Sequence, residues 1–191
     1  MLSHRTSHAR AVVDRTTCEK TACDVSTQWR TDWPSPPGSF VMDDVYRAWA
    51  TWEKERTQEA QQVLLERAAV ACAQFRACPT EHDAPAVWAW AMRVVRAWLD
   101  YEGRIDPRKE DVREARAQHA DVVRATLGIL RNASLSDAYA CQALAHTDTL
   151  AQLCAMCVAY ERMSEPALLV MIRVLTQLLV NLVTRHEAVR D

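Results

Sequence analysis

"VVRATLGILRNASLSD" at residues 122–137 and "MIRVLTQLLVNLVTRH" at residues 171–186 are the two stretches that decide the fold. They align at an offset of 49 residues, and each contains an arginine, a second marked position four residues later and an asparagine four residues after that. An α-helix turns once about every 3.6 residues, so positions four apart lie on one face. Each stretch is therefore predicted to be a helix with a single polar line. The two lines consist of Arg124, Gly128 and Asn132, and of Arg173, Gln177 and Asn181.

Nearly all the other positions in these stretches are apolar, which predicts burial on every side except along the polar line. That pattern is typical of the inner helix of an α-solenoid, which packs against neighbouring helices and is exposed to solvent only along a concave groove. Two shorter helical segments, residues 137–145 and 147–160, lie between the stretches. The sequence predicts an all-α fold: an armadillo-like α-solenoid fragment whose groove is lined by the two polar lines.

Helical periodicity also precedes these stretches, with apolar residues at three- and four-residue steps. Polar residues from Lys54 to Gln62 predict either one long exposed helix across residues 43–78 or a break within it. Pro85 and Gly103 suit the first turn and the end of a second helix. No alternating strand pattern of useful length occurs, and the chain contains only 3 glycines, which favours helices over hairpins.

Three regions differ in composition. Residues 1–38 show no sustained period and end in a proline-rich break, so a disordered or extended arm is predicted there. Residues 40–105 are predicted to form a Trp-rich N-terminal helical cap, and residues 106–191 to form armadillo-like repeats. Two repeats are fewer than a stable solenoid normally needs. The repeats are therefore expected to continue beyond the chain end, and an uncovered C-terminal face would otherwise mediate self-association.

The chain has 7 tryptophans, all between Trp29 and Trp98. Together with Arg93 and Arg96, they could form a stacking platform for single-stranded nucleic acid. Their regular helical spacing and the formal net charge of -2 instead favour packing in a helical core, with no nucleic acid as a partner. Trp29 and Trp33 are different, because an aromatic residue near prolines can also serve as a short docking motif.

The 7 cysteines follow no regular framework and the N-terminus lacks the order of a secretory signal, so reduced intracellular thiols are expected. Cys154 and Cys157 share one helical face. A metal site needs about four ligands, and no second close pair completes one. The thiols are therefore predicted to act as small apolar residues, with no metal or other cofactor. The alternative function is that of an intracellular protein that binds or carries a metal through its thiols.

Catalysis has no support in the sequence, because phosphate loops, nucleophile elbows and dinucleotide fingerprints do not occur. The protein is predicted not to be an enzyme. The most apolar stretch, residues 167–183, is short for a membrane span and contains Arg173, Gln177 and Asn181. These polar groups would be costly in lipid, so no membrane contact is expected and the predicted location is the cytoplasm.

The segments "LRNASLSDAYACQAL" at residues 130–144 and "LTQLLVNLVTRHEAVRD" at residues 175–191 resemble armadillo repeats, and more narrowly the ataxin-10 family. Members of that family carry leucine-arginine-asparagine followed by small residues. They also carry a leucine-rich helix that ends in asparagine, an apolar pair, a small residue and an acid. The resemblance covers about residues 122–191. It implies a non-enzymatic cytoplasmic scaffold linked to cytokinesis and to neuronal or signalling roles, and a fungal branch is named for copper transport.

Two roles are open for Asn132 and Asn181. The armadillo resemblance implies that such an amide in the groove holds the backbone of an extended peptide at both N–H and C=O. Alternatively, each amide bonds only to loop backbone and stabilises its own repeat. Arg124 and Arg173 on the same lines would favour acidic partners. Alternatively, they are solvated arginines with only a structural role. The expected partner is therefore a protein or an extended peptide that lies along the groove.

Overall fold

The computed structural model describes residues 40–77, 83–106, 112–161 and 166–185, all within one compact unit. These residues are helical and include no strand, which confirms the all-α prediction. A 3₁₀-helix, Cys141–His146, joins the fifth α-helix to the sixth. The arm predicted at residues 1–38 lies outside the described residues. The α-helices are α1 (Phe40–Glu55), α2 (Gln58–Ala77), α3 (Ala84–Glu102), α4 (Arg113–Ala133), α5 (Asp137–Ala140), α6 (Thr147–Glu161) and α7 (Pro166–Arg185).

The break predicted as one of two interpretations for residues 43–78 separates α1 from α2. Arg56 has a φ of 54°, in the left-handed region that residues other than glycine rarely adopt. Its N–H donates to the Trp52 carbonyl at 2.9 Å and closes the last turn of α1. The Thr57 hydroxyl then accepts from the Ala60 N–H at 3.1 Å. That bond satisfies one of the donors that the first turn of a helix leaves without a helical partner.

α3 begins and ends at the residues that its sequence predicted. The Asp83 carboxylate accepts from the Ala86 N–H at 3.3 Å, and Pro85 occupies the first turn, where its missing N–H costs no helical bond. Gly103 follows the last turn, and its N–H donates to the Leu99 carbonyl at 3.0 Å. Both ends are therefore set by local chemistry that can be read from the sequence.

Tryptophan supplies much of the core formed by α1 and α3. Burying one tryptophan side chain removes about 150–250 Å² from water. The prediction that tryptophans pack inside the helical core is confirmed for the described ones, while Trp29 and Trp33 lie outside the described residues. The buried tryptophans, each at most 6% exposed, are Trp49, Trp52, Trp88, Trp90 and Trp98.

The contacts between helices define two series, which we call rows. In the first row, α4 contacts α2 and α7. In the second row, α3 contacts α1 and α6: the Tyr46 and Trp90 ring centroids are 5.6 Å apart, and Arg96 Nε donates to Thr149 Oγ1 at 3.0 Å. The rows are joined where α1 packs on α2, α3 on α4 and α6 on α7. α4 therefore has helices on several sides.

A buried ion pair joins the end of α3 to the start of α4. Arg116 Nε lies 3.2 Å from each carboxylate oxygen of Glu102, and both side chains are 1% exposed. Taking a charged group out of water costs several kcal/mol, which only a well-placed opposite charge offsets. Each member of the pair therefore depends on the other, and both helices depend on the contact.

α7 is long and apolar enough to cross a membrane by length and composition, with a mean hydropathy of 1.9 over Pro166–Thr184. Core helices of soluble proteins pass the same test, and 28% of this stretch is buried against the rest of the protein. Gln177 and Asn181, two of its polar residues, hydrogen bond to α4. One side of α7 is thus fixed to its neighbour in the first row.

Candidate functional site

Asn132 joins α4 to α2. Its Nδ2 donates to the Cys72 carbonyl at 2.7 Å, and its Oδ1 accepts from Arg131 Nε at 3.2 Å. The residue is 5% exposed. Because both ends of the amide are engaged inside the protein, Asn132 connects two helices of the first row.

Asn181 makes the equivalent contact one helix further along the row. Its Nδ2 donates to the Arg131 carbonyl at 3.0 Å, from α7 to α4. Arg131 lies in the last turn of α4, where carbonyls lack partners within the helix. We name the two contacts, Asn132 to Cys72 and Asn181 to Arg131, the asparagine clasps. In both, the amide reaches back to the backbone of the preceding helix in the row.

Arg131 connects the two clasps. Its carbonyl accepts from Asn181, its Nε donates to Asn132, and its Nη1 donates to Gln177 Oε1 at 2.7 Å. The sequence interpretation missed this residue because it lies beside the four-residue line. Val180 holds the corresponding position in the second stretch, so comparing the two stretches gave no reason to select an arginine there.

Gly128 lies where α4 approaches α2. A Cβ at this position would be 3.3 Å from Cys72 Sγ, which is closer than ordinary van der Waals contact. That sulfur also lies 3.9 Å from the Ala125 carbonyl. The absent side chain of Gly128 therefore allows the close approach in which the first clasp forms.

Two of the six residues predicted to line an exposed groove are in fact covered. Gly128 and Asn132 are buried at the contact between α4 and α2, so the prediction that they are exposed is wrong. The four-residue spacing identified a shared face, but it could not show that α2 packs against that face. The loop alternative is also wrong, because each asparagine bonds to the backbone of a neighbouring helix.

The other four residues keep some exposure. Arg124 Nε lies 3.2 Å from Asp121 Oδ1 on the same helix, and both side chains are part exposed. Gln177 and Asn181 are half-buried at the contact between α7 and α4, and Arg173 is exposed. The structure therefore does not bring the six residues into one open surface.

α7 exposes a stripe of residues at three- and four-residue steps. Its apolar members Leu169, Val180 and Val183 are 44%, 49% and 42% exposed. The residues 49 positions before Leu169, Thr176 and Val183 are Ala120, Leu127 and Ser134, all 0% exposed, whereas those before Arg173 and Val180 are half-buried arginines. This face is thus more covered along α4 than along α7. We name this surface the α7 stripe, made of Leu169, Arg173, Thr176, Val180 and Val183.

Cys154 and Cys157 are free thiols on α6. Burial raises the pKa of Cys157 to about 12 and also raises the pKa of Cys154. Metals bind the thiolate, so a raised thiol pKa opposes coordination. Within the described ranges, no group of three or more His, Cys, Asp or Glu residues is placed to hold a metal ion. Cys18, Cys23 and Cys78 lie outside those ranges.

A cavity of 510 Å³ opens between α1, α3 and the first turns of α4. Its walls combine aromatic rings with charged side chains of both signs. None of its residues was selected from the sequence as a binding residue, because they come from separate helices and match no motif. The side chains that give it its chemistry are Trp52, Arg56, Asp100, Tyr101, Arg104 and His119.

His119 is held between aromatic rings in this cavity. Its ring centroid is 4.3 Å from that of Tyr101 in a stacked arrangement, and 5.0 Å from that of Trp52 edge-on. Arginine can only donate, so the bond from Arg56 Nη1 makes His119 Nε2 an acceptor, and Nδ1 donates to the Ala115 carbonyl at 2.8 Å. Burial lowers the pKa of His119, and the charge of Arg56 adds to this effect. The ring is therefore neutral at pH 7.

Chemically, the described part of the chain offers a helix-joining network, an open apolar stripe and a cavity with arginine and aromatic walls. Comparisons with known proteins assign none of these: no protein-family model matches the chain, and no curated protein or solved structure matches it.

Proposed function

We propose that this chain is an armadillo-like α-solenoid fragment, with α1–α3 as its Trp-rich N-terminal cap, that acts as a non-enzymatic protein-interaction scaffold. In this proposal, a helix of a protein partner binds along the α7 stripe. The observation that carries the proposal is a difference in burial: Leu169, Thr176 and Val183 are exposed, whereas the residues 49 positions earlier, at or just after α4, are 0% exposed.

The equivalence of the two clasps supports the repeat. In a solenoid, each repeat contacts its neighbours through the same kind of interface. Here α7 joins α4 through Asn181 as α4 joins α2 through Asn132. Successive helices also alternate between the two rows in α1–α4, and α6 and α7 continue that order. A further helix beside α7 would extend the first row in the same direction.

The shape of the stripe favours a helix as the occupant. Its residues follow the three- and four-residue steps that an amphipathic partner helix presents in helix-in-groove recognition. Exposed apolar side chains grouped on one face of a helix, such as Val180 and Val183, commonly mark an interaction site. At three of the five stripe positions the residue 49 positions earlier is fully buried, so this side of α7 is the place where a further helix would pack.

Arg173 specifies the charge of the partner helix. It is exposed within the α7 stripe, between Leu169 and Val180. A guanidinium at that place favours an acidic side chain on the occupant, because bidentate pairing with a carboxylate is strong and directional. The partner is therefore a protein segment with an apolar helical face and an aspartate or glutamate near its middle. Of the groove predicted from sequence, Arg173 is the residue that this surface retains.

The resemblance of residues 122–191 to the ataxin-10 family supports the cellular side of the proposal. It favours a cytoplasmic scaffold with a link to cytokinesis or signalling. It also favours protein recognition over catalysis.

Site-specific photo-crosslinking in cells tests the proposal. The crosslinking residue is placed at Val180 on the stripe and, as a matched control, at Val70 on α2; these valines are 49% and 51% exposed. We expect Val180 to capture a partner whose crosslinked segment is an amphipathic helix with an acidic residue. A second substitution on the stripe, Leu169→Glu, should abolish that capture, whereas Val63→Glu on α2 should leave it intact. Equal capture from Val70, or capture that survives Leu169→Glu, overturns the proposal.

Two other outcomes replace the partner helix with a different occupant. If the Val180 crosslink joins two copies of this chain, and sedimentation equilibrium gives a dimer that Val180→Glu dissociates, the stripe is a self-association face. If the purified protein floats with phosphatidylcholine vesicles and Val180→Glu abolishes flotation, α7 contacts lipid. Either result contradicts binding of a separate protein partner.

A further inference from the structure

Arg56 is a fixed cation in the wall of the cavity. Its guanidinium carbon lies 4.2 Å from the centroid of the Trp52 ring. Its Nε donates to the Glu53 carbonyl at 3.1 Å, and its Nη1 donates to His119. These three groups are neutral, so none of them balances the positive charge. An arginine already held in one conformation loses little further freedom when an anion binds.

Arg104 brings a second guanidinium to the same cavity. It follows α3 and is exposed, and its N–H donates to the Tyr101 carbonyl at 3.0 Å. Asp100 is the one carboxylate among the lining residues of the cavity. Glu102 lies nearby, but its charge is offset by Arg116 in the buried pair. With His119 neutral, the lining therefore carries an excess of positive charge.

The dimensions and walls of the cavity fit a small molecule. Ligand cavities usually enclose about 300–1,000 Å³, and this one has 510 Å³. The stacked rings of Tyr101 and His119 and the ring of Trp52 provide flat apolar walls, and the Arg56 guanidinium lies over the Trp52 ring. Arg104 is part of the same lining. Arginine recognises carboxylate and phosphate groups through paired N–H donors.

From this arrangement we infer that the cavity binds a small organic anion, whose carboxylate or phosphate group is held by Arg56 and Arg104. The aromatic walls contact the organic body of the anion, and the guanidinium groups contact its charged end. This site is separate from the α7 stripe, so its presence or absence does not depend on the proposed scaffold function.

NMR titration of the full chain tests the inference, with pyrophosphate and citrate as the probes at constant ionic strength. The ring resonance of His119, assigned from a His119→Gln sample, reports on the cavity itself. We expect it to shift saturably with at least one probe. Arg104→Gln should weaken that probe's binding by about tenfold, the effect of losing roughly one charge-assisted hydrogen bond. The matched control is Arg47→Gln on α1, which removes the same charge from an exposed pair with Asp44 outside the cavity lining.

The control variant should bind within about twofold of the unaltered protein, because long-range charge effects are screened at moderate ionic strength. Arg56→Gln should abolish the saturable shift. If circular dichroism finds that this variant has lost helix, Arg104→Gln decides alone. The inference is overturned if neither probe gives a saturable shift, or if Arg104→Gln and Arg47→Gln bind the probe equally.

Discussion

α4 and α7 share a sequence pattern but not a setting. Both carry an arginine and an asparagine eight residues apart, and both use the asparagine to clasp the preceding helix. α4 has a row neighbour on each side, whereas α7 has one in the described structure. The same register is therefore fully buried at Leu127 and open at Thr176. A repeated pattern therefore sets how helices join, while the number of neighbouring helices sets which residues are exposed.

The buried ion pair of Arg116 and Glu102 has no counterpart on α7 among the described residues, so its loss should destabilise the protein more than the other changes. Arg116→Ala removes the guanidinium that offsets the buried Glu102 carboxylate, which should lower the free energy of unfolding by about 3–5 kcal/mol. Urea denaturation followed by circular dichroism measures the loss. Arg124→Ala removes an exposed pair with Asp121 on the same helix and should cost less than about 1 kcal/mol. Equal losses in the two variants would contradict the importance assigned to burial.

Leu130 and Leu179 provide a direct comparison of the two helices. They occupy the same register, but Leu130 is 0% exposed and Leu179 is only half-buried. Leu130→Ala removes a fully packed side chain and should cost about 2–5 kcal/mol. Leu179→Ala should cost roughly half as much, since less apolar area leaves water at that position. Urea midpoints that are lowered equally would mean that α7 is covered in solution.

The clasps themselves should differ in strength. Asn132→Ala removes a buried bond to the Cys72 carbonyl and should cost about 1–3 kcal/mol. Asn181→Ala should cost about 1 kcal/mol or less, because Asn181 is half-buried and water can reach its site. Thr176→Ala on the α7 stripe serves as the control and should change stability by less than about 0.5 kcal/mol. The double variant should be non-additive, because Arg131 participates in both clasps.

Acid should lower the free energy of unfolding through His119 on α4. It should not do so through α7, which contains no His, Asp or Glu between Pro166 and Arg185. Burial holds the pKa of His119 below its ordinary value of 6.5, so the folded state favours the neutral ring. The unfolded chain then binds more protons below about pH 6.5, and the stability that the neutral ring contributes is lost as the pH falls toward the lower, folded-state pKa. His119→Gln should flatten this decline in unfolding free energy.

Urea titrations at several values between about pH 7 and pH 5.5 measure that slope, above the range in which most carboxylates titrate. His146, whose pKa is also lowered by burial, remains in the variant and leaves a residual decline. Unchanged slopes in the variant would show that His119 contributes nothing to the acid sensitivity.

Much of the fold could be predicted because its signals are local. Pro85 and Gly103 mark the ends of α3, and helical periodicity predicted burial of tryptophans such as Trp88. The asparagines stood out because an amide inside an apolar helix needs a partner. The exposure of Gly128 and Asn132 was predicted wrongly, because periodicity defines a helical face but not the helix that packs on it. In the structure, α2 covers the face that holds these two residues.

The cavity could not be predicted from the chain for a different reason. Arg56, Tyr101 and His119 are far apart in sequence, and none of them belongs to a recognisable sequence motif. Their arrangement depends on how α1, α3 and α4 meet and on the left-handed backbone at Arg56. Neither the crossing of three helices nor one unusual φ angle leaves a pattern in the sequence.

Both clasps end on a main-chain oxygen, and every residue has one. The joint therefore places a requirement on the donor helix alone, and the side chains at Cys72 and Arg131 can be exchanged without removing its acceptor. The same contact can therefore be built between other pairs of helices. A helix added by protein engineering beside α7 needs a matching apolar face and one well-placed asparagine, and α7 needs no redesign to receive it.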